Sequence, residues 1–110
     1  MNNPVIEVNE DVKLEVTPDV QHEYVLTNAQ VAEGYGITAE NVRYQKRNHV
    51  DELKENKHWV VRITNTPGGK QKTTYWTKRG VVRLGFFIRS PRAKAFRDAA
   101  EIVGKPNARS

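Results

Sequence analysis

At 110 residues with a formal charge of +5, the chain is long enough for one small domain and too short for two. It has no cysteine, which excludes disulfides and thiolate metal sites, and His22, His49 and His58 match no metal-ligand spacing. No apolar run reaches the roughly 18 residues of a membrane span, and the acidic N-terminal stretch does not fit a secretory signal, so the cytoplasm is the expected compartment.

The charge is unevenly spread. Residues 1–23 carry Glu7, Glu10, Asp11, Glu15, Asp19 and Glu23 against Lys13 alone, a net −5, whereas residues 24–110 carry seventeen Lys/Arg against seven Asp/Glu, a net +10. A basic body behind an acidic arm suits a polyanionic partner. In the first stretch, Pro4 and Pro18 bound a region of mutually repelling acids, which predicts a flexible arm over 1–21. Val12, Leu14 and Val16 alternate there, so a short edge strand is the other option. The folded domain is expected over 22–104, with a frayed tail over 105–110 after the Gly104-Lys105-Pro106 stop.

Tyr24-Val25-Leu26 reads as a strand or a packed lead-in. Thr27 stands as the N-cap of a helix over 28–33, Gly34, Tyr35 and Gly36 interrupt it, and Thr38 caps a second helix over 39 to about 53 with Val42, Val50 and Leu53 inward. Two β-rich runs, 59–64 and 73–77, flank a polar Pro-Gly-Gly loop and read as a hairpin. Thr77 caps a helix over 78–87, and Ser90-Pro91 starts a last helix that buries Ala93, Phe96, Ala100 and Val103. Trp59, Tyr75, Trp76, Phe86, Phe87 and Phe96 are spaced for core packing rather than base stacking. The elements predict an α+β, mainly helical domain: a winged helix-turn-helix with one β-hairpin wing and a C-terminal helix pair.

The helix-turn-helix spacing carries the functional expectation. Ala32 is small where two helices cross, Gly36 supplies a positive φ, Ile37 and Val42 fill the space between the helices, and the second helix is basic. Its outward face holds Glu40, Arg43, Tyr44, Arg47 and Asp51. Thr38, Glu40, Arg43, Tyr44 and Arg47 are therefore the candidate base-reading residues for double-stranded DNA, because an arginine fork can take guanine O6 and N7 together. Glu40 either accepts from cytosine N4 or orients Arg43 or Tyr44. Thr27, Lys46, Lys70, Lys72, Lys78 and Arg79 are candidate phosphate contacts, which add affinity without reading sequence. The last helix offers an alanine-rich face (Ala93, Ala99, Ala100) for a homodimer, or for closing the core.

The stretch from Tyr24 to Val103 resembles the N-terminal DNA-binding domains of phage antirepressor-type regulators, of the KilA-N and Bro-N kind. The resemblance rests on Val31-Ala32-Glu33, Tyr35-Gly36-Ile37, Arg47-Asn48, His58-Trp59, the run from Trp76 to Leu84 and the run from Ser90 to Arg97. It implies a phage or mobile-element transcriptional regulator. The alternative is an antirepressor module whose partner is another regulatory protein. Such domains are often followed by a second, variable one, so a short form or a trimmed piece is expected here. No catalytic constellation and no cofactor motif is present, and Pro67-Gly68-Gly69-Lys70 lacks the spacing of a phosphate-binding loop, so the chain is not expected to be an enzyme.

Overall fold

Val12, Leu14 and Val16 alternate with charged residues, and in the computed structural model, which describes residues 4–103, that alternation belongs to packed β-structure rather than to a flexible arm. Strand β1 (Val5–Glu7) pairs antiparallel with β2 (Lys13–Glu15), Ile6 opposite Leu14. Both side chains, with Val12 and Val16, enter the core, while Val5, Glu7, Lys13 and Glu15 face water. Four buried aliphatic groups at period two outweigh the repulsion of the acids between them, which stay solvated.

Strands β3 (Thr17–Asp19) and β4 (Glu23–Thr27) follow, then helices α1 (Asn28–Tyr35) and α2 (Ala39–Asn48). Strands β5 (Trp59–Thr66) and β6 (Gly69–Thr77) and helices α3 (Lys78–Leu84) and α4 (Ala93–Ile102) complete the described residues. The second sheet is antiparallel throughout, in the order β3-β4-β6-β5. It curls so far that Asp19 on one outer strand meets Arg62 on the other at 3.0 Å. Burial of Asp19 opposes its charged form, but the hydrogen bond and charge of Arg62 prevail and hold its carboxyl below the usual range.

These strands correct the expected architecture. Helix and strand take near-equal shares, so the domain is not mainly helical, and β5–β6 is no isolated wing. β6 is an inner strand, with Val25 opposite Thr77 and Leu26 opposite Trp76 on β4. The hairpin is also longer than predicted. Thr66 pairs with Gly69, which leaves only Pro67-Gly68 as the connection, and Gly69 takes the positive φ of 119° that the turn needs.

One face of the curled sheet, with Tyr24, Leu26 and Trp76 fully buried, packs on the helices. The Tyr24 hydroxyl donates to the Ala100 carbonyl of α4 at 2.6 Å, and the Trp76 indole donates to Asn28 Oδ1 of α1 at 2.7 Å. Both large rings thus bury their apolar area without orphaning a polar atom. In α4, Ala93, Phe96 and Ala100 recur on one side and are buried in the core, with Ala99 half-buried beside them.

Four helix boundaries differ from the sequence reading. α1 runs through Gly34 to Tyr35 rather than ending at 33. α2 stops at Asn48, because His49 leaves helical geometry at φ −131°, ψ 42° and stacks its ring on Phe87 at 3.8 Å. Leu53 still reaches the core through a turn, but Val50 is 67% exposed. α3 ends at Leu84. Ser90 does not cap α4, which begins at Ala93; its hydroxyl donates instead to the Tyr35 carbonyl at the end of α1. The expected tail over 105–110, and the stop at Gly104, lie outside the described residues.

Candidate nucleic-acid interface

Local chemistry holds α1 and α2 at a fixed angle. Thr27 and Gln30 form a reciprocal capping box on α1, and Thr38 Oγ1 accepts from the Asn41 amide at 3.0 Å to start α2. Between them Gly36 sits at φ 73°, ψ 38°, a left-handed conformation that costs any other L-residue about 1–2 kcal/mol. The Gly36 and Ile37 amides both donate to the Ala32 carbonyl, and Arg92 donates to the Glu33 carbonyl at 2.7 Å from outside. Val31, Ala32, Tyr35 and Val42 are buried, so the two helices share part of the core.

That packing turns the opposite side of α2 outward. Arg43, Tyr44 and Arg47 are exposed along one face, with Thr38 and Glu40 at its N-terminal end. Glu40 lies between the two arginines, 3.4 Å from Arg43 and 3.7 Å from Arg47. Of the two roles considered for Glu40, orientation of a neighbour matches this geometry, with Arg47 rather than Tyr44 as the second neighbour. The contacts are exposed and therefore weak, which leaves both guanidinium groups available to an incoming ligand.

The phosphate candidates divide. Lys72 on β6 faces Arg43 across a shallow groove that Thr27, Gln71 and Thr73 also line. Lys70 is exposed nearer the tip, opposite Asn65. Thr27 spends a lone pair on its cap, and its hydroxyl stays at the groove. Lys46, by contrast, turns to the flank of α2 and lays its ammonium 3.8 Å from the centre of the Trp59 ring; burial lowers its pKa. Lys78 is withdrawn altogether. It is buried and donates to Glu23 Oε1 at 3.0 Å. Arg79 is exposed on α3, away from the Arg43 groove.

The groove between α2 and β6 was not legible in the sequence, because Arg43 and Lys72 meet only through the β4–β6 pairing. Phe86, expected in the core, is 66% exposed beside Lys57, Arg79 and Arg83. Among the described residues no cluster of three His, Cys, Asp or Glu could hold a metal, and no helix is long and apolar enough to cross a membrane.

No protein family, curated protein or solved structure matches the chain.

Proposed function

We propose that the protein binds double-stranded DNA, inserts the N-terminal half of α2 into the major groove, and belongs to the phage or mobile-element regulators that its sequence resembles. The observation that carries this reading is the pairing of Arg43, Tyr44 and Arg47 on an outward helix face with Lys72 across an adjoining groove. Base edges would be met by Arg43, Arg47 and Tyr44, with Thr38 and Glu40 at the entrance, while Lys72 and Lys70 take phosphate.

Selection from random duplexes, followed by titration of variants, tests it. Arg43→Ala should cost about 1–3 kcal/mol on the preferred duplex and relax one position. Lys72→Ala should weaken all duplexes alike and flatten the slope of log K against log salt by about 1. Affinity that does not change with salt refutes the reading. Capture of a regulatory protein with no retardation of any duplex favours the antirepressor alternative.

A further inference from the structure

A second group of cations lies beyond α2. Residues 54–58 form a tight turn in which the His58 amide donates to the Lys54 carbonyl at 2.8 Å and the Lys54 amide donates to His58 Nδ1 at 2.9 Å. The turn is fastened to the β6–α3 junction. Thr77 Oγ1 donates to the Lys57 carbonyl at 2.7 Å, the Thr77 amide donates to the His58 carbonyl at 3.0 Å, and a Cβ at Gly80 would meet that carbonyl oxygen at 1.8 Å. This fixes Lys57 over an open cleft shared with Arg79, Arg83 and the exposed ring of Phe86.

Arg83 has Glu52 at 3.5 Å, Glu101 stands on the rim, and Glu23 is taken by Lys78. Lys54, Lys57 and Arg79 make no ion pair among the described residues. Burial first, and then the charges of Lys57, Arg83, Arg79 and Lys54, lower the pKa of His58 to about 4.

The cations are continuous with α2. Arg47 shares a groove with Lys54, which Glu55 and Trp59 also line, and Lys54 opens the turn that carries Lys57. A basic track therefore runs from Lys72 through Arg43, Arg47, Lys54 and Lys57 to Arg79. We infer that Lys54, Lys57 and Arg79 grip phosphates of the duplex outside the segment that α2 reads, so that the footprint is longer than a single recognition helix requires. This rests on the DNA-binding reading above.

The test compares two duplexes that share the selected site, one of about 10 base pairs and one of about 20, against Lys57→Ala/Arg79→Ala in the full chain. A matched control, Lys13→Ala/Lys94→Ala, removes the same charge outside the track, and thermal unfolding checks that each variant is folded. Wild type should bind the longer duplex about tenfold tighter, with a salt slope steeper by about 3. The Lys57/Arg79 variant should lose most of that advantage, about 2 of the added slope, and keep wild-type affinity for the short duplex, and the control should lose neither. A variant that binds the long duplex as wild type does overturns the inference. Equal loss on both duplexes, or in the control, also overturns it. Wild-type affinity for the short duplex reports separately on α2.

Discussion

Glu40 is one side chain that pairs with two others. An acid in the first turn of α2 is favoured by the helix dipole, yet this one also spans Arg43 and Arg47. In the DNA-binding reading it disfavours phosphate near the guanidinium groups and aims them at base edges. Glu40→Gln should raise affinity for arbitrary duplexes about two- to fivefold while narrowing the gap between preferred and random sequences, measured by competition titration. The arginines, the tyrosine and the caps Thr27, Thr38 and Thr77 could be read from the sequence, because capping and helical facing depend on residues only three or four apart. Lys46 and Lys78 could not. Their destinations, Trp59 and Glu23, lie 13 and 55 residues away and are brought close by the turns after α2 and by the β4–β6 pairing respectively.

His58 gives a pH-dependent residue-scale expectation. It is buried with Nδ1 accepting a backbone proton, an arrangement that protonation breaks. Its folded pKa of about 4 lies below the ordinary histidine value of 6.5, so the unfolded chain binds the proton more tightly. The contribution to stability is complete above 6.5 and drains away as pH falls toward 4. The melting temperature should therefore drop across that window by an amount corresponding to about 1–3 kcal/mol, and His58→Gln should flatten the slope.

At the scale of elements, α2 and the β5–β6 hairpin face each other across the Arg43–Lys72 groove, while α3 works as a fastening. Lys78→Ala should leave duplex affinity unchanged and lower thermal stability by about 1–2 kcal/mol, because Glu23 loses its partner while held at φ 69°, a strained conformation for a non-glycine residue. The helical period of α4 and the Gly36 break were plain in the sequence. The length of the hairpin was not: Asn65, Thr66, Gly69 and Lys70 look like loop residues by composition, yet the ladder with β6 draws them into strand.

For the whole molecule, the N-terminal segment is the largest departure from expectation. Its acids and prolines suggested an arm, and the sparse valines and Leu14 were too few to outweigh that impression. Their burial against α1 and α4, together with β3 in the main sheet, makes the segment part of the core. Deleting residues 1–21 should therefore abolish the cooperative thermal transition and the near-ultraviolet signal of the buried aromatics.

The packing of β1 on α4 has a topological consequence. The opening strand and the closing helix are neighbours, so a short glycine–serine link could join them and the chain could be reopened at the solvent-facing bend Asn9–Asp11. Such a circular permutant should melt as cooperatively as the parent, because the new ends fall in an exposed bend and every buried strand and helix keeps its neighbours.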